Sequence, residues 1–193
     1  MGNILSLPFI VPSKAHGEDF PTSAGRKGCK TVSDPSRTAV TCTGDVLLAI
    51  PNNTRLSGIS ATENGVSTSA VKNPSRFAAP WNYSTETDQA SKAFSSLQAA
   101  LLKVEPTVEI DTVDTNFRSS GYYYLHATLS SPATGTDDIE FIIRPEDRLA
   151  LFRSASRTSV FVYPLTQPVT DGLRNRKRME KIRDELGWQD LSY

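Results

Sequence analysis

The chain has 193 residues, with 21 Lys and Arg balancing 21 Asp and Glu, 38% hydrophobic residues and 22% charged ones. That length is one domain with an extension, or two small domains, and it buries a core without metals or disulfides. The even charge removes any general reason to expect nucleic acid as a partner, and no apolar run is long enough for a membrane-spanning helix.

Residues 1–58 read as an irregular arm, punctuated by Pro8, Pro12, Pro21, Gly25, Gly28, Pro35, Gly44 and Pro51. The opening MGNILS fits the M-G-x-x-x-[ST] acylation pattern, which makes Gly2 a lipidation candidate. One acyl chain binds membranes only marginally, so a second anchor is expected, in the form of a membrane-bound protein partner. Gly25-Arg26-Lys27-Gly28 lacks the GK[ST] ending of a phosphate-binding loop. Cys29 and Cys42 read as two reduced thiols of an intracellular protein rather than as a disulfide. The sequons at Asn52 and Asn82 read as unmodified. Only Asp45–Ile50 is an apolar run, a strand or short helix.

A single domain is expected over residues 59–193. Ser67–Val71 and Phe77–Tyr83 are short extended segments around the Asn73-Pro74 turn. A helix follows, capped by Ser84 or Thr85, with Glu86 and Asp88 in its first turn. Ala90, Phe94, Leu97, Leu101 and Val104 form its apolar stripe, and Pro106 stops it. The period then falls to two. Val108–Val113, Tyr122–Leu129, Ile139–Ile143 and Leu149–Ser154 read as four strands. The last element is a helix from Gly172 to Leu186, capped by Asp171 and closed by Gly187. Arg176–Glu180 and Lys181–Glu185 are spaced as ion pairs along it. The fold class is therefore α+β: an antiparallel sheet of four to six strands with two main helices on one face, plus the arm.

Pro145-Glu146-Asp147-Arg148 reads as a tight turn, and counting outward sets the register. Phe141 faces Phe152, Ile139 faces Ser154 and Ile143 faces Ala150 on the core side. On the other side Glu140 faces Arg153, and Asp138 lies diagonal to Arg153 and Arg157. Tyr122, Tyr124 and His126 alternate onto that same polar face. The surface suits a ligand, a partner or a salt-bridge network. It does not suit catalysis: Ser154 falls opposite His126, no GxSxG elbow is present, and the arginines neutralise the carboxylates. His16 and His126 stand alone, so neither metal nor cofactor is expected. Asn175 shares the buried stripe of the last helix with Met179 and Ile182. It is expected to bond to Arg153–Arg157, with Arg178 completing the network around Asp138.

These residues resemble domain-of-unknown-function family 1499, known from bacteria, algae and plants. Its motifs stand here as NGVST (Asn64–Thr68), APW (Ala79–Trp81), DDIEF (Asp137–Phe141), RSASR (Arg153–Arg157) and NRKRME (Asn175–Glu180), over about residues 59–188. The resemblance implies a shared centre of Asp137, Asp138, Glu140, Arg153, Ser154, Ser156, Arg157, Asn175 and Arg178, and brings no established activity. Photosynthetic relatives make a plastid or thylakoid location an alternative to an intracellular, peripheral-membrane one. Gly65 replaces a common Cys of the family. Val160–Val169 lengthens a usually short connection and is expected to be a docking loop, through Phe161, Tyr163 and Leu165. The functional expectation is a non-enzymatic accessory or assembly protein with a protein partner in a larger complex. A small-ligand binding domain using the polar face is the alternative, and a hydrolase a distant third.

Overall fold

The computed structural model of the protein describes residues 29–33, 38–43, 48–49, 55–59, 63–131, 135–162, 168–169 and 171–191. Gly2, Tyr163 and Leu165 lie outside these residues.

The arm is less irregular than its prolines and glycines suggest. Strands β1 (Cys29–Ser33) and β2 (Thr38–Thr43) pair antiparallel, with Cys29 opposite Cys42. Cys42 is disulfide-bonded, which corrects the reading of two reduced thiols. Two short strands follow, β3 (Gly65–Ser67) and β4 (Trp81–Asn82). Helix α1 (Ala90–Val104) starts later than expected. Residues 84–86 form a turn before it, and Gln89 stands at the N-cap with no side-chain cap. Neither Ser84 nor Thr85 therefore caps it. The stripe of Ala93, Phe94, Leu97, Ala100 and Leu101 is buried, so tertiary packing stabilises the helix without a cap.

Strands β5 (Glu109–Asp114), β6 (Tyr123–Ser131), β7 (Gly135–Arg144) and β8 (Leu149–Ser156) run as an antiparallel meander. The β7–β8 register is the one counted from the turn: Glu140 with Arg153, Phe141 with Phe152, Ile139 with Ser154. The chain then enters β9 (Thr158–Val162), which pairs with β2. The first part of the expected docking loop is thus a strand, and Phe161, 2% exposed, packs with Val40 and Cys42 in a second small core. Helix α2 (Arg174–Leu186) ends at Gly187, whose φ of +66 makes the left-handed cap, and β10 (Gln189–Asp190) closes the order. Asp171 holds the start of α2 by accepting from the Leu173 and Asn175 amides.

The protein is α+β. Its seven-stranded sheet runs β10-β4-β8-β7-β6-β5, with β3 also on β8, and a separate three-stranded sheet runs β1-β2-β9. Both helices cover one face, where Leu125, Ile139, Phe141, Ile143 and Phe152 meet Leu97, Leu101, Met179 and Ile182. Gly65 lets β3 approach β8: a Cβ there would lie 2.6 Å from the Ser154 carbonyl oxygen. Leu56, Phe117, Tyr124 and Ile142 cluster on the opposite face, and Ile59 packs with Ala70 and Ala155 beside them.

Candidate functional site

The polar face expected from the alternation exists, but it is closed. Adjacent residues of a strand point to opposite faces, so Tyr124, His126, Asp138, Glu140 and Arg153 share the side away from the helices. Glu140 and Arg153 are both 0% exposed. The segments that cover them come from the arm, at Leu48–Ala49 and Leu56, and from Phe117, whose ring stacks on Tyr124 at 4.8 Å. The Ala49 amide donates to Glu140 Oε1 at 2.7 Å, and the Tyr124 hydroxyl donates to the same oxygen at 2.8 Å. Arg153 bridges two carboxylates, Glu140 at 3.3 Å and Glu63 at 3.5 Å. Burial, reinforced by the neighbouring Glu140 charge, pushes the Tyr124 hydroxyl far above its ordinary value and keeps it a neutral donor.

A second cluster sits beside it. Arg157 grips Asp138 with two bonds, Nε at 2.7 Å and Nη2 at 2.8 Å. His126 Nε2 lies 2.9 Å from Asp138, and its Nδ1 lies 3.6 Å from Asp111. Asp111 stands where the β5–β6 register shifts, and a bulge of this kind re-aims a side chain. Burial opposes ionisation of Asp138, yet the bonds from Arg157 and His126 outweigh it and hold the carboxyl below its ordinary range.

The helix side carries a different polar knot. Asn175 Oδ1 accepts from Ser154 Oγ at 2.6 Å, and Asn175 Nδ2 donates to Ser156 Oγ at 3.0 Å and to Asp171 at 2.7 Å. The expected clamp between helix and RSASR segment is present. Arg178, however, pairs with Asp137 at 2.8 Å and Glu105 at 3.2 Å, not with Asp138. The cause is parity: Asp137 faces the helices and Asp138 faces away. Arg174 also reaches Asp137, at 3.2 Å. The spaced pairs on α2 do not form either. Arg176 donates to the carbonyls of Ser75 and Phe77, and Glu185 pairs with Lys103 of α1.

Tyr122 stands apart from the network. Its hydroxyl donates to Glu146, and Arg144 lies over its ring at 5.5 Å. Two participants escaped the sequence reading. Glu63 lies outside any alternating strand, and Asp111 is displaced from its strand's alternation by the bulge. Among the described residues no group of His, Cys, Asp and Glu is arranged to hold a metal ion. Ser154 Oγ is bonded to Asn175 and Arg178 on the helix side, across the sheet from His126.

Glu140, Arg153 and Asp138 are buried in this arrangement, while Arg157 and Asp111 reach the surface. The family model described as "Protein of unknown function (DUF1499)" matches residues 55–186. No curated protein and no solved structure matches the chain. No helix among the described residues is long and apolar enough to cross a membrane.

Proposed function

Because the chain belongs to the family of proteins of unknown function DUF1499, we propose that it is a non-enzymatic accessory module that acts through its surface in a larger assembly. The observation that carries this reading is the closure of the charged face, with Glu140 and Arg153 fully buried. Buried ion pairs of this kind hold chain segments in one arrangement, and Glu140 and Arg153 themselves present no surface to a ligand. The contact surface we assign is the rim of the three-stranded sheet. Val160 and Val169 are exposed there and joined by a backbone bond of 2.6 Å, and they bracket the apolar 160–169 segment. The disulfide at Cys42 supports an oxidising compartment such as a thylakoid interior over a reducing cytosolic membrane face.

The test is the native assembly, purified at low salt and sized by light scattering, with its partner identified and then recombined as a pure protein. Val160→Asp with Val169→Asp should abolish the recombined complex while the thermal melt of the chain stays unchanged. A complex that survives both substitutions contradicts the assigned surface. A turnover that disappears with His126→Ala contradicts the non-enzymatic reading.

A further inference from the structure

The three-stranded sheet is a small unit tied by one covalent bond. Among the described residues its apolar core is Val40, Cys42 and Phe161. Strands paired over so little apolar surface are marginal in water. β1 is the outer strand, and Cys29 in it stands opposite Cys42 of β2. These are the chain's two cysteines, and Cys42 is disulfide-bonded. The bond therefore ties β1 to β2 and closes a loop of roughly fourteen residues, a span whose crosslinking shifts a folding equilibrium by about a hundredfold. β2 in turn holds β9, with Ala39–Thr43 paired along Thr158–Val162.

A buried hydroxyl stands beside this bond. Ser159 of β9 is the register partner of Cys42 and is 1% exposed. Register partners have Cβ atoms about 5 Å apart and side chains on one face. The Ser159 hydroxyl makes no hydrogen bond among the described residues. A disulfide sulfur has no proton to donate and is a weak acceptor, so the oxidised pair leaves that hydroxyl unsatisfied. A thiol at Cys42 brings an S–H that the Ser159 oxygen accepts. The hydroxyl is thus better satisfied in the reduced form, and a bond opposed in this way is easier to reduce than a purely structural one. Lys30 and Thr31 are exposed on the outer strand, which gives a reductant its approach.

We propose that the Cys29–Cys42 bond is a redox switch that opens the three-stranded sheet while the seven-stranded sheet stays folded. A dithiol reductant drives it. One of its thiolates attacks a sulfur of the bond, the S–S bond breaks, and two electrons and two protons leave two cysteine thiols in the chain. The reductant departs as its own disulfide. Loss of the crosslink frees β1 and β2, and β9 loses its neighbour. Val160 pairs with Thr41 and bonds Val169, so the edge that carries both valines is released with them. That consequence for a partner rests on the contact surface at Val160 and Val169; the switch itself does not.

Amide hydrogen exchange of the full chain, oxidised and in excess dithiothreitol, reads the switch without a partner. The β2 and β9 amides should exchange about a hundredfold faster on reduction, with Leu125 and Phe141 unchanged. Cys29→Ser should reproduce the open sheet and be indifferent to dithiothreitol. Equilibration in mixtures of reduced and oxidised dithiothreitol reads the part played by Ser159. Ser159→Ala removes the unsatisfied hydroxyl, so its bond should need about a tenfold higher ratio of reduced to oxidised reagent to open. A three-stranded sheet that exchanges equally slowly in both states, global unfolding on reduction, or an unchanged equilibrium in Ser159→Ala overturns the proposal. A sheet that opens while the recombined complex persists supports the switch and overturns the contact surface instead.

Discussion

The two faces of the seven-stranded sheet are equally dry and are kept dry by opposite means. On the helix side, Leu125, Ile139, Phe141, Ile143 and Phe152 pack against two amphipathic helices. On the other side, Tyr124, His126, Asp138, Glu140 and Arg153 are buried under segments with little regular structure. Apolar contact is non-directional and tolerates repacking, whereas a buried charge is stable only while every partner is in place. The helix face therefore defines the fold class. The arm face defines which particular segments close over it, because a backbone amide at Ala49 and a carboxylate at Glu63 join the network.

The largest expected effect comes from breaking that charged face. Arg153→Met leaves the fully buried Glu140 without the cation it pairs with and should cost about 3–5 kcal/mol by denaturant titration. A loss below about 1 kcal/mol would mean that the face is solvated and that the contrast between the faces is false.

Next comes the seam between them. Gly65→Cys adds a side chain where β3 meets β8. Its Cβ would meet the Ser154 carbonyl, which is backbone and cannot swing away. Overpacking of that kind costs about 1–3 kcal/mol, and the upper part of the range is expected in the thermal melt.

On the helix side, the polar clamp is the exception within an apolar layer. Asn175→Leu removes the side-chain bonds to Ser154, Ser156 and Asp171 and should destabilise by about 1–3 kcal/mol. A variant that melts like the wild type but loses partner binding would move Asn175 from the scaffold to a functional surface.

The smallest effect is the dependence on pH. Asp138 has its folded pKa depressed, so its contribution is present above the unfolded value of about 4 and is lost as pH falls through the folded one. Asp138→Asn should flatten the acid limb of the stability curve below about pH 4. Tyr124 acts in the opposite direction. Its folded pKa is raised, so stability is complete below about pH 10 and declines as the unfolded tyrosine ionises. Tyr124→Phe should remove that alkaline decline.

These contrasts also explain what could be read from the residues alone. The register of β7 and β8 was legible because a four-residue turn and strict alternation leave one way to count. The placement of Glu140 opposite Arg153 followed from it. The cover over that pair was not legible, since Ala49 contributes a backbone amide, a group every residue but proline carries. Asp111 was hidden by a bulge, and Glu63 by its place outside any periodic segment. The pairing of Arg178 was within reach of the same parity rule. Ser154 and Ile139 face the helices, so Asp137, two residues before Ile139, had to face Arg178. The Cys29–Cys42 register depended on the β1–β2 pairing, for which Asp34-Pro35 is the turn signal in the sequence.

The most direct measurement is hydrogen exchange at the Ala49 amide in the native protein. A closed charged face requires its bond to Glu140 to persist, so Ala49 should exchange only with global unfolding, as slowly as Phe141 and Phe152 in the central strands. Exchange at Ala49 near the rate of a free peptide, with the central strands still protected, would show an open face and contradict the network described for it.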